Sequence, residues 1–332
     1  MGKVHRAILS RLSKPARAVF VDTPAGFELN VDDISAKAVE YFAQRLNSKL
    51  NVVSFKSAAT ATQAEVELAL NKLAMTNYVF AGPGSPTYVI NNWRDSVIWE
   101  AITRRFAKGA HLVLASAAAI AVGRCALPVY EIFKAGHPPH WVRGLDLLGP
   151  YGFDLAIIPH WNNLEGGSYD TRYCFMGQPR MKSLEQRLPL STSILGIDEY
   201  SACILDLAAG QGHVMGAGQV TLRHADHEMI FPSGACFSLG ELKRGASSKE
   251  QAPTHGRHDL ELPGSKLPSD WDAQPDAQDD DWAGARPFID LLVEMRGRLR
   301  AREQWELADE VRERLAALGV SLEDGPAETT WR

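Results

Sequence analysis

Short apolar runs closed by glycine, proline or polar turns alternate with longer amphipathic stretches through the first half of the chain. The runs "RAVFVDTP", "NVVSFK", "NYVFAGPG", "HLVLAS" and "DLAIIPHW" have the length and continuous apolar character of buried strands. Between them, "DDISAKAVEYFAQRLNSKL" and "TQAEVELALNKLA" space their apolar residues three and four apart, as a helix burying one face must. The alternation predicts an α/β fold built on a mostly parallel sheet flanked by helices. From about residue 194 the texture changes to close-spaced runs joined by glycine turns, "SILGIDEYSACILDL", "HVMGAGQVTLR" and "HEMIFPSG", which predict antiparallel hairpins finishing the sheet.

After "GACFSLGEL" the pattern is lost in a stretch rich in proline, aspartate, serine and glycine. Residues 245–285 therefore read as a flexible acidic linker between a domain over 1–244 and a tail over 286–332. The tail is amphipathic again and predicts a small helical appendage, with Gly319 as a stop signal.

Composition narrows the possible functions. The chain has 332 residues, 45% of them hydrophobic and 23% charged, enough for one large core plus a smaller unit. Its net charge of -5 offers no electrostatic footprint for nucleic acid. No apolar run is long enough for a membrane helix and the first residues lack a secretory pattern, so the cytoplasm is the expected compartment and no membrane partner is expected. The four cysteines lack metal-type spacing and read as small core residues. "HPPH" (His137, His140) and "HADHE" (His224, His227) read as loop histidines, and neither a metal nor a cofactor is expected. "AAGQGHVMGAGQ" is followed by a strand pattern, so it reads as a hairpin and not as a dinucleotide fingerprint.

Three strand ends carry candidate chemistry, and in open α/β sheets reacting groups collect at the carboxyl ends of strands. In "HLVLASAAAIAVG", Ser116 stands at a strand-to-helix joint among alanines small enough for a tight turn. Read alone it is equally the N-cap of a buried helix. The Ala117 amide could meet a developing oxyanion. "FAGPGSPTY" offers Gly84 as a second donor, because Pro83 has no N–H. "AIIPHWNN" ends a third strand with His160, a candidate general base, and Asn162 follows as a candidate substrate contact.

These segments resemble the cyanophycinase and aspartyl dipeptidase family of serine peptidases, which has the class I glutamine amidotransferase-like fold. The likeness runs through "LASAAAIAVG", "AGPGSP", "IIPHW" and "LGIDEYSACILDL", over roughly residues 15–235. It implies a nucleophile at Ser116, a base at His160, and hydrolysis of a small peptide or acidic amide through an acyl-enzyme. It places the triad acid at Glu131, with Asp198 and Glu199 as rival acids. It also implies that Arg172, in the pair Thr171-Arg172, receives an acidic substrate side chain.

The chain departs from the family pattern in three places. Leu114 and Ala118 replace the two elbow glycines, and a helix-like opening stands where the family begins with a strand, so a sheet strand is expected to be missing. These departures keep open a second function, a catalytically weakened peptidase-like binding protein. The tail, with its "WELADEVRERL" run and closing "LEDGP", resembles the C-terminal end of cysteinyl-tRNA synthetase and opens a third, a translation-linked accessory protein. Contact with tRNA through this tail stays open although residues 286–332 hold eight arginines against ten acidic residues. A homo-oligomer is compatible with everything above.

Overall fold

The strand expected to be missing is present at the middle of the first sheet. In the computed structural model, Ala18–Val21 (β1) lies between Leu50–Val53 (β2) and Tyr78–Ala81 (β3), and His111–Leu114 (β4) completes a wholly parallel sheet in the order β2-β1-β3-β4. The run "RAVFV" supplies β1 after an opening helix, α1 (Gly2–Ser10). The structure describes residues 2–12, 15–225 and 227–243, and in the C-terminal part 289, 292–294, 296–297, 300, 305–317, 320–324 and 329–331.

Alternation along the strands sets the layers. Val19, Val21, Val79 and Ala81 face one core with Leu73, Val89, Trp93, Ile98 and Ile102. These last five come from α3 (Gln63–Ala74), α4 (Pro86–Trp93) and α5 (Val97–Ala107). Ala18, Phe20 and Tyr78 face the opposite core with Val4 and Ile8 of α1 and Phe42 of α2 (Val31–Leu46). Side chains cap the starts of α3 and α4. Thr62 and Glu65 form a capping box on α3, and Ser85 caps α4 ahead of Pro86.

The predicted antiparallel finish is present, but as separate sheets. After the short pair β5 (Cys125–Ala126) and β6 (Val142–Arg143), β7 (Leu155–Ile158) pairs in parallel with β8 (Ser193–Ile197) and not with β4. Beyond β8 the chain forms β9 (Ser201–Asp206), β10 (Gln211–Gly216), β11 (Gln219–His224), β12 (His227–Pro232) and β13 (Cys236–Ser238). Their orders are β12-β11-β8-β7 and β13-β10-β9, with every pair except β7–β8 antiparallel. The glycine-rich stretch around residues 207–212 is the β9–β10 hairpin, as its pattern predicts.

The chain divides into two units, Met1–Pro253 and Thr254–Arg332. In the second, the described residues include a helix at Trp305–Ala317 and an antiparallel pair, β14 (Leu322–Asp324) with β15 (Thr329–Trp331). Ile289, Leu315, Val320 and Leu322 form its small core. The appendage thus has a strand pair beside its helix, which the helical expectation omitted. The linker over 245–285 and the stop signal at Gly319 lie outside the described residues. No helix among the described residues is long and apolar enough to cross a membrane.

Candidate active site

Ser116 occupies the joint between β4 and the five-residue helix α6 (Ala117–Ala121) with φ 51° and ψ -118°. This is a conformation that side-chain-bearing residues rarely adopt, costing about 1–3 kcal/mol. The joint is held by backbone pairing. The Ala115 amide donates to the Ala81 carbonyl at 2.9 Å, and the Ala118 amide is directed at the Gly82 carbonyl at 3.4 Å. Alanines 117, 118 and 119 are all buried, so the small side chains let α6 pack directly beneath the turn. Leu114 and Ala118, at the positions where the resemblance implies glycine, do not take a positive φ. Leu114 continues β4 in register with Ala81, and Ala118 sits in the main core.

His160 follows β7 in a turn that closes when the Asn163 amide donates to the His160 carbonyl at 3.2 Å. The histidine has φ 53°, which re-aims its ring out of the strand direction. A second segment grips the same turn. Tyr173, Cys174 and Phe175 take φ values of 59°, 55° and 68° in succession. This left-handed turn aims the Tyr173 and Cys174 amides at the carbonyls of Trp161 and His160, at 2.9 and 3.1 Å. Nothing in the sequence signals it, because left-handed turns ordinarily call for glycine. The Cys174 thiol is buried there, and burial, with a smaller contribution from Glu199, pushes it up to about 12.

The imidazole bridges an alcohol and a carboxylate. Its Nε2 lies 3.2 Å from Ser116 Oγ and its Nδ1 lies 3.0 Å from Glu199 Oε1. An ionised carboxylate only accepts, so Nδ1 carries the proton and Nε2 is left to accept from the Ser116 hydroxyl. The β7–β8 register explains the meeting. Ile158 pairs with Gly196, so His160 and Glu199 leave adjacent parallel strands at the same end.

The carboxylate beside the imidazole is therefore the rival Glu199 and not Glu131. Glu131 accepts a 2.6 Å hydrogen bond from Thr87 Oγ1, and Thr87 in turn lies 2.9 Å from Ser85 Oγ at the start of α4. Its carboxylate serves that hydroxyl chain, not the histidine. Asp198 also points elsewhere: Oδ2 accepts from the Gln219 amide at 3.0 Å, tying β8 to β11, and burial raises its pKa. Asn162 is exposed, and its Oδ1 accepts from the Glu199 amide at 2.8 Å, which ties it to the same carboxylate. Asn163, which sequence reasoning passed over, donates from Nδ2 to Glu199 Oε1 at 2.8 Å.

Arg172 is likewise engaged. Its Nε and Nη2 reach the two oxygens of Asp170 at 2.9 and 2.8 Å, a two-pronged pair that uses the geometry an incoming carboxylate would need. The hydrogen bond from Arg172 holds the Asp170 carboxyl well below the usual range. Gly84 has φ 144°, and a Cβ there would lie 1.7 Å from the Pro24 carbonyl oxygen, so only glycine fits this approach. The Ala117 amide opens α6, where the first N–H groups have no partner within the helix.

Ten non-glycine residues with positive φ occur among the described residues. Six of them, Ser116, His160, Tyr173, Cys174, Phe175 and Tyr200, belong to the turns that hold or adjoin these three side chains. Strain of this kind persists only where surrounding structure enforces it, and it concentrates at functional sites. The other histidine pairs do not form such a cluster. His137 and His140 stack on each other, and His224 faces His227 across the β11–β12 hairpin. No group of three His, Cys, Asp or Glu able to hold a metal ion occurs among the described residues.

No protein-family model matches the chain. Among solved structures, a peptidase from an acI-B1 Actinobacterium is similar with a TM-score of 0.57 at 16% identity, covering 71% of this chain and 90% of that one. Among curated proteins, the cysteine--tRNA ligase of Sodalis glossinidius is 54% identical over 45 residues, 14% of this chain. That of Shewanella amazonensis is 57% identical over 44 residues, and that of Dehalococcoides mccartyi 48% identical over 50. The chain spans only about a tenth of the length of these ligases. The chain thus combines the α/β fold of the actinobacterial peptidase, consistent with the class I glutamine amidotransferase-like fold, with a short C-terminal segment similar to part of cysteine--tRNA ligases.

Proposed function

We propose that the first unit is a serine-type peptidase acting on short peptides through Ser116, His160 and Glu199. The observation that carries this reading is the single imidazole within hydrogen-bond reach of Ser116 Oγ on one side and Glu199 Oε1 on the other. The fold shared with the actinobacterial peptidase supports it.

In the proposed reaction Ser116 Oγ attacks the scissile carbonyl carbon while its proton passes to His160 Nε2. Glu199 stabilises the imidazolium that forms. The Ala117 and Gly84 amides are the proposed donors to the oxyanion, worth about 3 kcal/mol each when well placed. Collapse breaks the C–N bond, and the amine leaves with the proton from His160. The acyl-enzyme remains on Ser116 until water, deprotonated by His160, releases the acid.

A panel of dipeptides with acidic, neutral and basic first residues tests the reading. Hydrolysis by the wild type that is lost in both Ser116→Ala and His160→Ala supports it. Hydrolysis that survives Ser116→Ala removes it, and absence of turnover in a folded protein favours the peptidase-like binding protein. Because Arg172 is committed to Asp170, acidic first residues are expected to hold no marked advantage. For the second unit, similarity to cysteine--tRNA ligase favours a translation-linked role, tested by tRNA retention before and after deletion of residues 286–332. Retention that is absent or unchanged ends it.

A further inference from the structure

The base and the acid are held by one short turn, and its last residue has no role in the reaction as derived. Asn163 is fully buried beside the site. Its Oδ1 accepts from the Glu165 amide at 3.2 Å, and its own carbonyl accepts from Thr171 Oγ1 at 3.2 Å. With Oδ1 committed to an N–H, the amide can be oriented only one way, and Nδ2 must face Glu199, 2.8 Å from Oε1. That oxygen is also the one that meets His160 Nδ1. Glu199 is held from its backbone as well, through the Asn162 side chain.

We infer that Asn163 is a positioning residue that fixes Glu199 Oε1 on the imidazole. The inference rests on the Ser116–His160–Glu199 reading. Two donors on the same carboxylate oxygen, one of them fully buried, oppose the rotation that would turn it from Nδ1. The three-residue spacing from His160 is what makes this work. The turn that re-aims the histidine also returns Asn163 to the same carboxylate, so both side chains rest on one support. The other titratable groups facing Glu199 are His160, the neighbouring Asp198 and the Cys174 thiol from the left-handed turn.

The test is the second-order rate at which a fluorophosphonate labels the full chain. In that reaction the Ser116 Oγ–P bond forms, P–F breaks, fluoride leaves and the hydroxyl proton goes to His160. Asn163→Ala is expected to slow labelling about ten- to a hundredfold, the range for losing a hydrogen bond to a charged group. In a Glu199→Ala background the same substitution is expected to cost no more than about twofold, because its effect passes through the carboxylate. Should Asn163→Ala fail to fold, Asn163→Asp keeps the shape. Its carboxyl can donate to Glu199 only when protonated, so its deficit against wild type is expected to grow as pH rises and shrink as pH falls.

Wild-type labelling that depends on Ser116, with Asn163→Ala near the wild-type rate, overturns the inference alone. So does a loss of the same size in the Glu199→Ala background, or an Asn163→Asp deficit that does not vary with pH. A folded wild-type protein that the probe never labels overturns the serine-peptidase reading and the inference with it.

Discussion

Glu199→Gln separates the two carboxylates that compete for the role of triad acid. The Glu199 carboxylate lies 3.0 Å from His160 Nδ1, with the two side chains 24% and 36% exposed. Two unit charges at about 4 Å interact by about 4 kcal/mol at an effective dielectric of 20, and solvent reaching both groups reduces this to about 2 kcal/mol. Losing that stabilisation of the imidazolium slows attack by Ser116 about 30-fold. Glutamine can also present its NH2 to the ring and favour the other tautomer, which would leave Nε2 protonated and unable to accept, for a total loss of up to about 10⁴-fold. The companion variant is Glu131→Gln, whose oxygen can still accept from Thr87, so its rate is expected to stay within about threefold of wild type. Both are measured as fluorophosphonate labelling rates at neutral pH on protein shown to be folded by circular dichroism. A Glu131→Gln loss equal to or greater than that of Glu199→Gln would refute the assignment of the acid.

Other consequences follow from the same geometry. Ser116→Gly removes the φ 51° strain and is expected to raise the unfolding free energy in urea by about 1 kcal/mol while abolishing labelling; no gain in stability would contradict a strained elbow. Gly84→Ala drives a methyl into the Pro24 carbonyl and is expected to destabilise the protein by about 3 kcal/mol; a variant as stable as wild type would show that the turn can relax. Burial among aromatic rings lowers His5 to about 4, below its ordinary value of 6.5. The unfolded chain therefore takes up a proton first, and stability falls from pH 6.5 down to about pH 4, by about 3 kcal/mol in all, with no further loss from His5 below that. His5→Gln is expected to flatten that part of the urea-stability profile, and an unchanged slope would count against a buried neutral imidazole. Arg172→Ala is expected to leave the relative hydrolysis of acidic and neutral dipeptides within about threefold, and a collapse of acidic substrates alone would restore Arg172 as their receptor.

Much of the site was legible because strand ends announce themselves. The alanines after Ser116 mark a joint where larger residues would clash, and the apolar run before His160 fixes it as the end of a buried strand. Which carboxylate meets the imidazole was harder to read, since Glu131 precedes His160 in the chain and Glu199 follows it, and chain order carries no distance. A usable signal did exist. "SILGI" is a strand of the same buried character as "DLAII", and if the two pair in parallel, the acidic residues after one must stand beside the histidine after the other. The left-handed turn at Tyr173–Phe175 left no trace because it contains no glycine; its conformation comes from the carbonyls of His160 and Trp161 that it serves. Arg172 shows the same limit. A residue type and spacing can nominate an anion receptor, but its partner two residues earlier, Asp170, decides whether the guanidinium is free. The missing-strand expectation failed for a simpler reason: it compared positions from the first residue, while β1 follows an additional helix.

The claim that Ser116 is a nucleophile activated by His160 is tested most directly by locating a fluorophosphonate adduct by mass spectrometry. The account predicts one adduct, on the peptide that contains Ser116, with no adduct in Ser116→Ala and strongly slowed formation in His160→Ala. An adduct on another residue, or labelling of Ser116 at the wild-type rate without His160, would contradict it.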